Sequence, residues 1–293
     1  MISEYKEETE AIVEALHKSA WKLEGYDNSG YETKKGKSGK DIVTQADKDL
    51  QEHLINFFQE EFPETGIIAE EDGEDDEIKE KDRNFIIDPI DGTINYAAGR
   101  NYFCISIAYQ VNGEVVAGGI ASPRFEGGMI SIGVESEGAW CETGYEFEGT
   151  QEMDFEEALE EITESERIEA DSGRENLDES LGMAEASSVS DIENEMSEIR
   201  KDIGATYVQP GSAALELVEI ARGNIDFRID TIDIWDFAAG HLIVEEAGGE
   251  TFTTNYHSDS VGRDLHFAVA AGQGNMDELE DIIRNSEFME EEE

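Results

Sequence analysis

Closely spaced carboxylates give this chain its candidate chemistry. Asp88 and Asp91 lie in FIIDPIDGTINY, residues 85–96, directly after three apolar residues that favour a buried strand. Two like charges about 4 Å apart repel by roughly 4 kcal/mol at an effective dielectric constant of 20. Glu70, which follows the neighbouring predicted strand, adds to this repulsion. Such a group takes up protons unless a cation lies between its members.

The type of ligand indicates which cation suits this site. Carboxylates and a backbone carbonyl, without His or Cys at ligand spacing, favour Mg²⁺ over zinc, with Mn²⁺ or Ca²⁺ as competitors. A bound Mg²⁺ in turn points to a phosphate substrate. Backbone N–H groups of Gly92 and Thr93, at the start of TINYAAG, are predicted to form an anion-binding helix N-terminus beside the metal.

Each acidic motif also has a purely structural interpretation. DPIDGT consists of common turn residues, so it can be a turn and nothing more. Asp47 in DIVTQAD can be an N-cap or a first-turn acid. Asp236 in IWDFAAG can cap a helix that begins near Phe237.

The surrounding elements predict how these residues are positioned. GIIAEE and NFII read as strands that each end in carboxylates, and Asn112–Gly113 predicts a hairpin between two strand-forming runs. DIVTQAD begins extended and continues as a helix that Pro63 ends. In ATYVQPGSAALELVEIARGNIDFRID, a Gly–Ser turn leads into an amphipathic helix and then another strand. The acidic stretch from Tyr145 to Asp202 has weak periodicity and carries no functional assignment.

Composition limits the possible partners. The chain has 293 residues, of which 38% are hydrophobic, enough for one large domain or two coupled lobes. Its 72 acidic and 21 basic residues give a formal net charge of −51, which argues against nucleic acid and anionic membranes as partners. Acidic residues scattered through nearly every segment predict adaptation to concentrated salt. The alternative is an acidic disordered or partner-binding surface, which the persistent apolar periodicity disfavours.

Two cysteines, Cys104 and Cys141, are too few for a disulfide framework and lack the CxxC spacing of zinc or redox sites. No run of about 18 apolar residues occurs, and the N-terminus lacks a basic flank followed by an apolar core. These features predict a soluble, cytoplasmic protein. Phosphate-cradling P-loop and dinucleotide-binding fingerprints are also missing from the sequence.

Four separated motifs together resemble the inositol monophosphatase family. They are DIVTQAD at 41–47, AEE at 69–71, DPIDGT at 88–93 and WDFAAG at 235–240. The stretch PGSAALELVEIARGNID is similar to the family's substrate-side turn and helix. The match spans residues 40–250 in the family's order, and the pairing of DPIDGT with WDFAAG is highly specific.

The resemblance implies an α/β fold, a layered αβαβα sandwich of the inositol monophosphatase and fructose-1,6-bisphosphatase type. It also implies hydrolysis of a phosphomonoester by direct attack of water, with two or three Mg²⁺ ions, or Mn²⁺ in their place. By this resemblance Glu70, Asp88 and the carbonyl of Ile90 bind the first metal. Asp88, Asp91 and Asp236 bind the second metal, and Glu70 also contacts a third ion that is bound more weakly.

The remaining roles follow from the same resemblance. The attacking water lies near Glu70 and Thr93, and Asp47 is hydrogen-bonded to the Thr93 hydroxyl. The predicted substrate-binding residues are Asp91, Gly92, Thr93, Gly211, Ser212, Ala213, Arg228, Asp230 and Asp236. Among them Gly211, Ser212 and Ala213 border the leaving-group pocket.

Two positions depart from the family pattern. Ala69 replaces the usual glycine before the two glutamates, and Ile229 lies where a carboxylate for a substrate hydroxyl is expected, seven residues before Asp236. Two alternatives remain open there: Arg228 binds a second phosphate, or Asp230 binds a polyol hydroxyl after a small shift.

The sequence therefore predicts a Mg²⁺-dependent phosphatase acting on inositol-1-phosphate or a similar sugar or polyol phosphate. Fructose-1,6-bisphosphatase and phosphoadenosine phosphatase activities are alternatives on the same scaffold, and a catalytically silent metal- or phosphate-binding regulator is the non-enzyme alternative. We expect one catalytic domain of two lobes, 1–148 with most metal ligands and 149–293 with Asp236 and the substrate-side turn. The resemblance also implies a homodimer.

Overall fold

A computed structural model of the chain describes residues 2, 4–26, 30–33, 42–70, 81–147, 153–174, 176–184, 197, 199–257, 264–272 and 276–284. Its helices include α1 (Lys6–Leu23), α2 (Gln45–Glu61), α3 (Thr93–Ala97), α4 (Phe155–Glu164), α5 (Ala213–Ala221), α6 (Ile234–Glu246) and α7 (Met276–Arg284). Its strands include β1 (Tyr31–Thr33), β2 (Ile42–Thr44), β3 (Gly66–Ala69), β4 (Arg83–Asp91), β5 (Cys104–Val111), β6 (Glu114–Ser122), β7 (Met129–Val134), β8 (Gly138–Thr143), β9 (Leu181–Ala184), β10 (Thr206–Tyr207), β11 (Phe227–Ile232), β12 (Glu250–His257) and β13 (Asp264–Ala271).

The larger sheet has six strands in the order β3-β4-β5-β6-β7-β8. β3 is parallel to β4, whereas every later pair is antiparallel. The predicted hairpin at Asn112–Gly113 is confirmed, because it joins β5 to β6 and both residues have the positive φ of a tight turn.

β4 is longer than the sequence predicted. We expected a strand with Asp88 at its carboxyl end and Asp91 in the turn that follows, and the position of Asp91 was wrong, because β4 continues through Asp91. The pairing shifts register here: Asp88 is opposite Ser106 and Asp91 opposite Cys104, so β4 contains one residue more than β5 over the same span. Pro89, which has no N–H to donate, is tolerated in a strand at such a bulge.

The smaller sheet has five strands in the order β10-β9-β11-β13-β12. β9 is parallel to both β10 and β11, and β13 is antiparallel to its two neighbours. β1 and β2 form a separate antiparallel pair that leads directly into α2.

Three buried clusters define the layers. In the first, α1 and α2 cover the outer face of the larger sheet with side chains such as Leu16, Leu50 and Phe58. In the second, α5 and α6 pack between the two sheets. In the third, Leu279 of α7 packs with Phe227 and Ile229 of the smaller sheet. This order confirms the predicted αβαβα sandwich.

α6 lies unusually close to the larger sheet. A side chain at Gly118 would place its Cβ 3.0 Å from the Cα of Ala239 on α6, and one at Gly133 would place it 3.0 Å from Ile243. Glycines on β6 and β7 thus allow the helix to approach the sheet, and this fixes the height of its first turn above the end of β4.

The start of α6 excludes the purely structural interpretation of Asp236. The helix begins at Ile234 with Asp233 as its N-cap residue, so Asp236 does not cap a helix that begins near Phe237. Asp236 lies instead within the first turn, and its N–H is 3.2 Å from the Asp233 carbonyl. Its side chain is therefore not needed as a cap and points to other partners.

None of the helices in the described part of the chain is both long and apolar enough to cross a membrane. The predicted boundary between the two lobes at residue 148 falls after β8 and before α4. The division into lobes stays a prediction.

Candidate active site

Three carboxylates from distant parts of the chain meet at one point. Asp88 and Asp91 come from the irregular end of β4, and Asp236 comes from the first turn of α6. One carboxylate oxygen of each lies within 4.8 Å of the others, a spacing that suits shared coordination of a cation. Sequence reasoning predicted this convergence of all three.

The cluster fits a metal ion on structural grounds. Asp88 Oδ1 accepts a hydrogen bond of 2.9 Å from the Ile90 N–H, but its Oδ2 is buried without a hydrogen-bond partner among the described residues. A buried carboxylate oxygen without a donor is costly, and a cation would satisfy it. Because all three side chains offer oxygen, the site suits a hard divalent cation.

The electrostatics of these carboxyl groups lead to the same conclusion. Burial raises the pKa of Asp88 well above its usual range, and the charges of Glu70, Asp236 and Asp91 raise it further. The pKa of Asp236 is raised in the same way, first by burial and then by Asp91 and Glu70. Without a cation, this group of carboxyls holds protons in place of charge.

Glu70 and Ile90 complete one wall of the pocket above the cluster. The open pocket has a volume of about 220 Å³ and is lined by Ile42, Glu70, Asp88, Ile90, Asp91, Gly92, Thr93, Ile94, Gly211 and Asp236. Glu70 follows β3, and its N–H is 3.3 Å from the Ile87 carbonyl of β4. The second glutamate of the AEE motif, Glu71, lies outside the described residues.

Asp47 has two structural partners. Thr44 and Asp47 form a capping box at the start of α2, in which the Thr44 N–H donates to Asp47 Oδ2 at 2.8 Å. The other oxygen, Oδ1, is 3.1 Å from the Thr93 hydroxyl, which also lies 3.0 Å from the Ile90 carbonyl. Asp47 is therefore a first-turn acid and not the N-cap residue, which is Thr44, and the predicted contact with Thr93 is confirmed. Burial raises the pKa of Asp47, and its hydrogen bonds with Thr44 oppose the rise.

Asp91 is held from the side opposite the pocket. Its Oδ2 accepts hydrogen bonds from the Ser212 hydroxyl at 2.6 Å and from the Ala214 N–H at 2.7 Å. The Cys104 thiol lies 3.7 Å from the same oxygen. Ser212, predicted to border the leaving-group pocket, is thus buried with its hydroxyl on Asp91, and neither it nor Ala213 is among the pocket-lining residues.

Gly92 and Gly211 form the contact between the DPIDGT segment and the substrate-side turn. Gly92 has φ +86°, and a Cβ there would lie 3.0 Å from the Gly211 carbonyl and 3.1 Å from the Cβ of Ser212. A glycine is therefore required by both conformation and space. The helix that begins at Thr93, α3, has only five residues, so its dipole contributes little to anion binding.

Arg228 and Asp230 lie beneath the pocket and not in its lining. Arg228 is 4% exposed and Asp230 is 7% exposed, and the Arg228 guanidinium contacts the carboxylates of both Asp230 and Glu216. The predicted substrate contacts of Arg228 and Asp230 have no support from this placement.

Sequence reasoning missed two residues that shape the site, Asn95 and Glu216. Asn95 Nδ2 lies 2.8 Å from the carbonyls of both Tyr102 and Pro210 and 3.0 Å from that of Gly211. Glu216 is fully buried in α5. The available signal was an acidic residue among Ala214, Leu215 and Leu217, where an apolar side chain is the normal choice.

Fold and site together define a layered α/β protein with a cluster of carboxylates that could hold a metal ion. A model of the inositol monophosphatase family matches residues 4–288. The chain belongs to this family, which confirms the resemblance seen in its four motifs.

Among the relatives that match the chain, one is named as a phosphatase and another as a Nus factor. A fructose-1,6-bisphosphatase/inositol-1-monophosphatase of Thermotoga maritima is 35% identical over 212 residues, which cover 72% of this chain and 70% of the relative. The Nus factor SuhB of Pasteurella multocida is 31% identical over 230 residues, covering 73% and 72% of the two chains.

Solved structures match over nearly the whole chain. The IMPase of Thermotoga maritima has a TM-score of 0.70 at 28% identity and covers 95% of this chain and 96% of its own. The inositol monophosphatase of Anabaena has a TM-score of 0.72 at 22% identity, covering 98% and 99%, and shows the common fold.

Proposed function

We propose that this protein is a Mg²⁺-dependent phosphatase that hydrolyses inositol-1-phosphate or a similar sugar or polyol phosphate. The observation that carries the proposal is the convergence of Asp88, Asp91 and Asp236 beneath an open pocket. The family membership supports a phosphatase scaffold.

The donor set supports a site for more than one ion. Asp88, Asp91 and Asp236 would bind one ion, while Asp88, Glu70 and the Ile90 carbonyl would bind a second, with Mn²⁺ able to replace Mg²⁺. When bound, these ions supply a water of lowered pKa and neutralise charge that develops on the phosphate and on the leaving oxygen.

The chain's own residues position the reactants. The Thr93 hydroxyl, between Asp47 Oδ1 and the Ile90 carbonyl, would orient the water that attacks the phosphorus. Asp47 is held by its capping box, so it keeps the hydroxyl in one direction. The close approach of Gly92 to Gly211 fixes the part of the pocket wall that these two residues line.

Fructose-1,6-bisphosphatase and phosphoadenosine phosphatase activities remain alternatives. The first is supported by the name of the Thermotoga maritima relative. A regulator without turnover is the non-enzyme alternative, and it is supported by relatives that are named Nus factors. The intact pair of Asp47 and Thr93 favours an enzyme, because metal binding alone does not need a positioned hydroxyl.

A phosphate-release assay in molar KCl with Mg²⁺ would distinguish these functions. Inositol-1-phosphate, fructose-1,6-bisphosphate and phosphoadenosine phosphate would be compared at equal concentration, with the Asp88→Asn variant as a control for contaminating phosphatases. We expect fastest release from inositol-1-phosphate and none with the variant. No release from any ester, together with retained Mn²⁺ binding, would support the regulator.

We also propose that the protein acts in the cytoplasm as a homodimer, adapted to concentrated salt, without nucleic acid or membrane partners. The formal charge of −51 supports the choice of partners, since it repels polyanions. Sedimentation equilibrium in molar KCl tests the dimer, which a monomer mass at micromolar concentration would contradict.

A further inference from the structure

We infer that Arg228 is a positioning residue, which fixes Asp91 for the metal through Glu216 and the Gly211–Ser212 turn. This role differs from the substrate contact that the sequence suggested for Arg228. The inference rests on the divalent metal of the proposed function, but not on the identity of the phosphate ester.

The first link joins Asp91 to the turn. Asp91 Oδ2 is occupied by the Ser212 hydroxyl and the Ala214 N–H at the start of α5. Only Oδ1 is then free of these donors and available to a cation. Any movement of residues 211–214 therefore rotates the metal-facing oxygen.

The second link joins the turn to Glu216. Glu216 Oε1 accepts the Gly211 N–H at 2.9 Å and the Ser212 N–H at 3.4 Å. Gly211 has φ +89°, so the turn adopts a conformation that most residues avoid, and the carboxylate of Glu216 supplies the acceptor for its backbone donors.

The third link joins Glu216 to Arg228. Glu216 is fully buried, and its second oxygen, Oε2, contacts the Arg228 guanidinium. The other end of the guanidinium contacts Asp230, so one planar group bridges two carboxylates. A lysine has a single ammonium group and does not reproduce this two-ended contact.

The position of Arg228 in the fold explains why this network matters for the whole cluster. Arg228 lies on β11, eight positions before Asp236, and β11 leads directly into α6. The ion pair therefore ties the helix that holds Asp91 to the strand that delivers Asp236. Since Arg228 is 4% exposed, a substrate phosphate would have to displace two buried carboxylates to reach it.

The test compares four proteins: the unmodified chain, Arg228→Met, the double variant Glu216→Gln with Arg228→Met, and Arg222→Met. Arg222 is the matched control, because it also bridges two carboxylates, Glu219 and Glu126, at the other end of α5. Mn²⁺ affinity is measured on metal-depleted protein in molar KCl by electron paramagnetic resonance of the free ion. Circular dichroism reports whether each variant is folded.

We expect Arg228→Met to weaken Mn²⁺ binding by about tenfold or more, as for other residues that orient metal ligands. The double variant should regain part of this loss, because Glu216→Gln removes the uncompensated charge at position 216 while its amide oxygen still accepts the Gly211 N–H; Asp230 keeps its charge in both variants. Arg222→Met should bind Mn²⁺ with unchanged affinity. If Arg228→Met does not fold, Arg228→Lys takes its place, with an expected loss of about threefold or more.

Steady-state kinetics distinguish positioning from substrate binding. Positioning predicts that Arg228→Met lowers kcat for inositol-1-phosphate and fructose-1,6-bisphosphate by the same factor. Unchanged Mn²⁺ affinity, with a KM that rises for the bisphosphate alone, would overturn the inference, as would an unmodified protein that binds no Mn²⁺. If the unmodified chain binds Mn²⁺ but hydrolyses no ester, the proposed function fails, whereas the four affinities still decide the role of Arg228.

Discussion

The side-chain amide of Asn95 lies 2.8 Å from the carbonyl of Pro210, a residue 115 positions away. The same amide donates to the Tyr102 and Gly211 carbonyls, and its oxygen accepts from Arg100 at 2.9 Å. One buried side chain thus joins the helix after DPIDGT to the turn that holds Asp91.

Replacement of Asn95 should therefore destabilise the fold and the site together. We expect Asn95→Ala to lower the free energy of unfolding by about 1–3 kcal/mol, because buried carbonyls lose their donor. Urea unfolding in molar KCl measures this. Asn224→Ala is the matched control, since Asn224 is exposed and bonds only to Glu219 among the described residues. Equal effects of the two substitutions would refute the proposed role of Asn95.

Loss of charge at Asp91 should abolish most activity. We expect Asp91→Asn to lower turnover by at least roughly 10²-fold, because in the proposed function this carboxylate binds the metal that acts on water and phosphate. The neutral amide oxygen still accepts from Ser212 and Ala214, so the fold should persist. Phosphate release at saturating Mg²⁺ measures the effect, with Asp49→Asn, which changes an acid near the protein surface, as the control. Turnover near that of the unmodified chain would rule out Asp91 as a ligand.

The Thr93 hydroxyl can be tested by a matched pair of variants. Thr93→Val keeps the shape of the side chain but removes the group shared by Asp47 and Ile90, so turnover should fall by about 10²-fold or more. Thr93→Ser retains the hydroxyl and should stay within about fivefold of the unmodified chain. Both variants should bind Mn²⁺ normally. Similar turnover of the valine and serine variants would show that the hydroxyl has no part in the reaction.

His241 should make the stability depend on pH. Its ring stacks on Phe237 at 5.2 Å, its Nδ1 lies 2.8 Å from the Ala238 carbonyl, and burial lowers its pKa. Between the two pKa values, His241 is protonated in the unfolded chain but neutral in the folded chain. The contribution of the neutral His241 ring to the free energy of unfolding is fully present above the pKa of the unfolded chain, about 6.5. It falls, by up to about 1.4 kcal/mol per pH unit, as the pH drops towards the pKa of the folded chain.

Urea unfolding of the unmodified chain and of His241→Gln between pH 5 and 7 measures this contribution. Carboxylates contribute a slope of their own, so the relevant quantity is the difference between the two proteins. The variant should have the smaller slope, and parallel curves would show that His241 is not buried in its neutral form.

Salt should be needed for folding. In dilute buffer the acidic side chains behind the net charge of −51 repel one another over long distances. At 1 M salt the Debye length falls to about 3 Å, and this repulsion is screened. We expect far-UV circular dichroism to show a folded chain in molar KCl and loss of structure in dilute buffer. Sucrose at equal osmolality, which does not screen charge, should not restore the fold. Complete folding in both buffers would contradict salt adaptation.

Local sequence determined most elements and the identity of the three aspartates that meet at the candidate site. Asp88, Asp91 and Asp236 lie in short motifs, and the Gly–Ser turn and the Asn112–Gly113 hairpin depend on residues adjacent in the chain. Backbone conformation at such positions follows from local sterics and hydrogen bonding, so it can be predicted without knowledge of the fold.

Tertiary structure alone decided three features. Pro89 lies inside β4 because β5 pairs with both sides of the bulge, and a local pattern cannot show that partner. The side chain of Asp236 does not cap a helix, because α6 starts at Ile234 with Asp233 as its N-cap residue. Arg228 contacts Glu216 and Asp230 and does not line the pocket, because burial between packed layers sets which charges meet, and burial is a property of the assembled chain.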